Sequence, residues 1–188
     1  VRVRPGTSGQ ISVTIDEARS APDQKRFDFS LEALRLDIEA DSDGVSIVVG
    51  ERSRRRAGYD TCHGCRVDFQ SEVLVPVGTQ VNVGTVMDGK IDVAGIAGTI
   101  SASNVNGPVA VADLRDSDVL ESVNGAIDLS FARAQDQDCE IETVNGDVTI
   151  VMSEGTGLDV AMDLFNGRLV SEFPVETFAL PAKIEQTL

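Results

Sequence analysis

Residues 104–129 read NVNGPVAVADLRDSDVLESVNGAIDL. The triplet Val-Asn-Gly occurs twice in this stretch, 18 residues apart, and returns at 144–146 within ETVNGDVTI. Asn-Gly between alternating apolar runs is the strongest short-range hairpin signal, because both residues tolerate positive φ. A repeated Asn-Gly is therefore either a meander of hairpins or the corner of a chain that coils. The spacing decides between them.

Aligned on the glycine, Gly89, Gly107, Gly125, Gly146 and Gly167 follow Asp88, Asn106, Asn124, Asn145 and Asn166, in steps of 18, 18, 21 and 21 residues. Gly98 lies midway between Gly89 and Gly107, and Asp116 midway between Gly107 and Gly125. The unit is two nine-residue arms with two unlike corners, Asn-Gly at one and Ala97-Gly98 or Arg115-Asp116 at the other. A meander has no reason to alternate corner types, whereas a coil does. The three extra residues of the longer steps are assigned to the turn-rich segments RAQDQD and SEGTG, which a solenoid absorbs without losing register.

Apolar residues fall two and four places after each glycine: Ile91 and Val93, Ile100 and Ala102, Val109 and Val111, Ile127 and Leu129, Val148 and Ile150. Alternate positions are mostly polar. This is a period of two with one face inward. Met87, Ile96, Val105, Val123, Val144 and Phe165, two places before the glycines, are assigned to the same inward face. The expectation is an all-β, two-sheet, single-stranded β-solenoid, β-helix-like and right-handed, with 18–21 residues per coil. The glycines are read as corners that need positive φ.

Outside the repeat the chain is also strand-like, as in QISVTID, VSIVVG and CRVDFQSEVLVPVG. DFSLEALRLDIEA (28–40) is ambiguous; its apolar alternation slips once at Glu32 and Ala33, and it is read as two strands or one bulged strand. The chain is expected to form one domain over residues 1–188. Residues 1–73 make an irregular β cap, 74–173 the regular coils, and 174–188 a C-terminal cap or tail.

Composition fits thin stacked layers. Aromatics make up 4% of 188 residues and there is no Trp, so small and β-branched residues must fill the core. The net charge of −15 arises entirely after residue 66, where 5 basic face 20 acidic side chains. That excludes the basic footprint of a nucleic-acid binder. No apolar run of 18 residues is present, so no transmembrane helix is expected. No signal peptide is visible at the start of the sequence.

VPVGTQVNVGTVMDGKIDVAGIAGTISASNVNGPVAV, followed by ESVNGAIDL and ETVNGDVTI, resembles the VNG-repeat β-solenoids of a bacterial adhesin-like repeat domain family. The resemblance is good over about residues 70–172 and loose before them. It implies an exported protein of the periplasm or cell surface, for which adhesion is the role proposed. It brings no catalytic residue and no cofactor.

Three local features could carry chemistry. Cys62, His63 and Cys65, with the distant Cys139, could supply zinc ligands, but the second clustered pair of a strong zinc signal is missing. In an exported protein the simpler reading is a Cys62–Cys65 disulfide at a hairpin tip, with Cys139 a small buried residue. Arg52, Arg54, Arg55, Arg56 and Arg66 form a basic patch that could meet phosphate, lipid head groups or the acidic half of another copy. Asp92, Asp128, Glu142, Asp147, Asp159 and Asp163 line the outer faces. Clustered carboxylates serve β-helix lyases and hydrolases, but they need a basic partner, and the only His is His63. The reading is a non-catalytic envelope or surface scaffold, presenting its faces to a protein, a cell-surface polymer or another copy. A carbohydrate-active β-helix is the alternative.

Overall fold

The computed structural model describes residues 1–40, 45–51, 64–86, 89–114, 118–131, 139–153, 159–161, 168 and 170–174. The chain forms two compact units, Val1–Gly157 and Leu158–Leu188. In chain order the described elements are β1 (Arg2–Pro5), β2 (Ser12–Ser20), α1 (Gln24–Ala33), β3 (Leu34–Ala40), β4 (Val45–Glu51), β5 (Arg66–Val75), β6 (Val81–Thr85), β7 (Ile91–Ala94), β8 (Ile100–Asn106), β9 (Val109–Leu114), β10 (Asp118–Asn124), β11 (Ile127–Phe131), β12 (Cys139–Asn145) and β13 (Val148–Val151).

From β6 onward the strands alternate between two parallel sheets, β6-β8-β10-β12 and β7-β9-β11-β13, and so wind through about three turns of a β-solenoid. Stacking follows the sequence repeat. Ile91, Val109, Ile127 and Val148 are register partners in one ladder, and Val93, Val111, Leu129 and Ile150 in the next. In the facing sheet Val83, Ala102, Leu120 and Ile141 align. The step of 21 enters between Phe131 and Cys139, because Leu120 to Ile127 and Ile141 to Val148 span the same interval. Segment RAQDQD, to which the sequence assigns those residues, lies outside the described residues. The coil expected around Asn166 and Gly167, and most of the tail at 174–188, lie outside the described residues.

The core is one cluster of thin aliphatic layers. Ile91, Val93, Val109, Val111, Ile127 and Leu129 meet Ile100, Ala102 and Leu120, all essentially inaccessible. Ile96, Leu114 and Phe131 close the side where the chain crosses from the second sheet to the first. Gly95 (φ +72°) and Asp113 (φ +62°) precede Ile96 and Leu114 at equivalent places in successive coils. The left-handed residue reverses the alternation, so the next side chain turns inward.

The Asn-Gly corners work differently from the expectation. Of their described glycines only Gly107 has positive φ, at +143°. What they share is closeness: a β-carbon on Gly107 would lie 2.3 Å from the Gly89 carbonyl oxygen, and one on Gly125 or Gly146 would lie 2.1 Å from the carbonyl oxygen of Gly107 or Gly125. Gly98, at the other corner, would meet the Thr79 oxygen at 2.5 Å. Glycine is required there because successive coils pack backbone on backbone.

The valines before these corners also depart from the expected inward face. Val105, Val123 and Val144 are 36%, 41% and 66% exposed, while Asn104 and Ser122, one place earlier, are buried. Strand alternation continues unbroken through Asn104 and Ser122, and a corner carbonyl inside the coil needs a polar partner.

The N-terminal part does more than cap. β1 lies between β5 and β7, parallel to both, so the larger sheet runs β13-β11-β9-β7-β1-β5-β2. β2 closes that sheet antiparallel to β5, and β3 pairs antiparallel with β4 as a separate ribbon. Residues 28–33 are helical, not a strand. The Asp23 carboxylate accepts the Arg26 N–H at 2.9 Å, and the Asp23 carbonyl accepts the Phe27 N–H at 3.0 Å. This is an N-cap, with Pro22 just before it. The slip at Glu32–Ala33 marks the helix end, and β3 starts at Leu34. Arg19 of β2 fixes the helix: its guanidinium donates to the Ser30 carbonyl and to Glu17, and stacks over the Phe69 ring at 5.7 Å from the centroid. The Arg19 hydrogen bond holds the Glu17 carboxyl below the usual carboxylate range.

Candidate functional site

The solenoid turns two ladder faces outward, and they differ. On the β6-β8-β10-β12 face one row is Asn82, Ser101, Val119 and Glu140, and the next is Gly84, Ser103, Glu121 and Glu142. Glu121 and Glu142 are direct register partners about 4.8 Å apart along the axis. Like charges so placed repel. Beside them runs an exposed apolar row, Val86, Val105, Val123 and Val144. An aligned apolar row on an outer face costs hydration and is the kind of surface a partner covers.

Next to the valines stands an asparagine ladder. Asn106, Asn124 and Asn145 are register partners. The Asn145 side-chain N–H donates to Asn124 Oδ1 and the Asn124 N–H to Asn106 Oδ1, both at 3.0 Å, and Asn106 donates to the Val86 carbonyl at 3.2 Å. Inside the same corner runs a second polar ladder, Thr85, Asn104, Ser122 and Thr143. Asn104 donates to the Gly89 carbonyl and accepts from Thr85 at 2.9 Å, and Ser122 donates to the Gly107 carbonyl at 3.4 Å. Among the described residues, buried Thr143 Oγ1 has no hydrogen-bond partner. Sequence reading missed this inner ladder, although a polar residue just before each Val-Asn-Gly was its signal.

The β7-β9-β11-β13 face carries the row Asp92, Ala110, Asp128 and Thr149; beyond it Ala94 pairs with Ala112 and Ser130 with Val151, with a register shift between β9 and β11 separating the two pairs. Its small side chains leave a shallow hollow of about 260 Å³, lined by Asp92, Ala110, Ala112, Asp128, Ser130 and Thr149 among others. Arg4 of β1 donates to Asp92 Oδ1 at 2.6 Å, and Lys90 Nζ lies 3.4 Å from Oδ2. Burial pushes the Asp92 carboxyl up, but the Arg4 hydrogen bond and charge, with Lys90, outweigh it and hold the group below the usual aspartate value. A general acid needs the opposite shift. Of the other carboxylates, Asp147 and Asp159 are exposed and Asp163 is outside the described residues.

Cys65 is disulfide-bonded and so is no thiolate for a metal. Cys62 and His63 lie outside the described residues. Cys139 opens β12 in the other sheet and is half-buried. Among the described residues no group of three or more His, Cys, Asp or Glu side chains is placed to hold a metal ion. Of the basic patch, Arg66 begins β5 and is exposed; Arg52, Arg54, Arg55 and Arg56 lie outside the described residues, as do Asp88, Asn166 and Gly167 of the corner series. No described helix is long and apolar enough to cross a membrane. No family model, curated protein or solved structure matches the chain.

Proposed function

We propose that this chain is a non-catalytic interaction scaffold of the bacterial envelope or cell surface, whose solenoid face is covered by a protein, a cell-surface polymer or a second copy. The observation that carries this reading is the exposed row Val86, Val105, Val123 and Val144, flanked by the asparagine ladder and by Glu121 and Glu142. Rows in fixed register about 4.8 Å apart suit an extended or repetitive partner. The disulfide at Cys65 fits an oxidising compartment. The resemblance of the Val-Asn-Gly repeats to adhesin-like solenoids points the same way.

A carbohydrate-active solenoid is the competing reading, and Asp92 and Asp128 across the hollow are its best residues. The ion pairing of Asp92 with Arg4 weighs against it. The test is binding of labelled chain to isolated bacterial envelopes, compared with Val123→Lys. Saturable binding that the variant loses supports the scaffold. Release of new reducing ends from a polysaccharide panel, abolished by Asp128→Asn, would replace it with the enzymatic reading.

A further inference from the structure

Asn-Gly sequences are prone to a self-modification. The glycine N–H has no neighbouring β-carbon to shield it, so its nitrogen can attack the asparagine side-chain carbonyl. Three described corners carry this dipeptide: Asn106-Gly107, Asn124-Gly125 and Asn145-Gly146. The solenoid does not treat them alike.

At the first two, the attacking nitrogen is already engaged. The Gly107 N–H donates to the Asn124 carbonyl at 2.9 Å, and the Gly125 N–H to the Asn145 carbonyl at 3.0 Å. The side-chain carbonyls are engaged as well, since Asn106 Oδ1 accepts from Asn124 and Asn124 Oδ1 from Asn145. Asn106 and Asn124 are thereby hydrogen-bonded through both ends of the side-chain amide, whereas Asn145 is bonded through its nitrogen alone among the described residues. At the third corner neither restraint is found among the described residues. Among the described residues the Gly146 N–H has no acceptor and Asn145 Oδ1 has no donor. Asn145 and Gly146 are also both exposed.

We infer that Asn145 is a spontaneous deamidation site, and that the ladder protects Asn106 and Asn124. The Gly146 nitrogen loses its proton and bonds to Asn145 Cγ. The Cγ–Nδ2 bond breaks and Nδ2 leaves with that proton as ammonia. Water then opens the five-membered imide at either carbonyl, giving aspartate or isoaspartate, with no change in oxidation state. Either product adds a negative charge beside Glu142 and Asp147 and removes the donor that Asn124 Oδ1 now uses.

Either of these two hydrogen bonds, taken alone, corresponds to roughly a tenfold difference in rate. The test is incubation of the full chain in warm, mildly alkaline buffer, followed by site-resolved peptide mass mapping, in native buffer and in denaturant. The expected result is conversion of Asn145 at least about tenfold faster than Asn106 or Asn124 when folded, with the gap closing when unfolded. Conversion of Asn106 or Asn124 as fast as Asn145 in the folded chain would overturn the proposal. So would a gap that persists in denaturant, since local sequence and not the ladder would then set it.

Discussion

Gly125 faces the Gly107 carbonyl so closely that a β-carbon on Gly125 would stand 2.1 Å from that oxygen. The contact is backbone on backbone, and no side chain can swing away to relieve it. Gly125→Ala should cost about 2–3 kcal/mol, and Gly125→Val more, because the coils must separate at the corner. Urea unfolding monitored by circular dichroism measures this; an unchanged midpoint for Gly125→Ala would refute the close-packed corner.

Asp113 is in the left-handed region, at a place where the preceding coil has Gly95. Left-handed backbone costs an L-residue about 1–2 kcal/mol, less for Asp, and glycine brings back part of that as chain entropy. Asp113→Gly should therefore stabilise by roughly 0.5 kcal/mol. Gly95→Ala should destabilise by more, since its β-carbon would also touch the Pro5 ring at 3.3 Å. Paired melting curves would show opposite shifts. Shifts of the same sign would refute the equivalence.

Asn124 donates to Asn106 and accepts from Asn145, so it is the middle of a three-residue ladder. Asn124→Ala removes both bonds and should cost about 1–2 kcal/mol. Asn145→Ala breaks only the bond that Asn145 donates to Asn124 and should cost less. Equal losses in denaturant titrations would argue against a ladder that acts as a unit.

Acid should weaken the Arg4–Asp92 link in a defined direction. The folded carboxyl titrates below its ordinary value of about 4. The unfolded state therefore binds the proton first as pH falls. The contribution of Asp92 is complete above that ordinary value and disappears as pH drops through the lower folded one. Asp92→Asn should melt below the parent at neutral pH and converge with it in acid. A constant offset across the acid range would show that Asp92 is not the titrating partner.

The repeat itself was legible because a parallel solenoid writes its register into the spacing. Steps of 18, 18 and 21 reappear as the pairs Ile91–Val109, Val109–Ile127 and Ile127–Val148. The corner chemistry was not legible. Asn-Gly signals positive φ in an isolated turn, and only stacking reveals that Gly125 and Gly146 are small because a carbonyl lies against them. The valines were placed inside because apolar residues usually are, whereas Asn104 and Ser122 go inside to satisfy the Gly89 and Gly107 carbonyls. Helix α1 was hidden by an alternating run of apolar residues, although Asp23 supplied the cap. Of the candidate site, the carboxylates and the disulfide at Cys65 could be anticipated. The Arg4–Asp92 pair could not, since its partners are 88 residues apart.

That distance has a kinetic meaning. Coils β6 to β13 join residues about 20 apart and can propagate from any one of them, as repeat arrays do. β1 must instead find its place between β5 and β7, roughly 70 and 90 residues along the chain. Contacts of such long range form slowly. The molecule should therefore refold in two speeds, a fast winding of the coils and a slow insertion of Arg2–Pro5 that completes the seven-stranded sheet. Until that insertion is done, β5 and β7 each offer an unpaired edge to any passing strand.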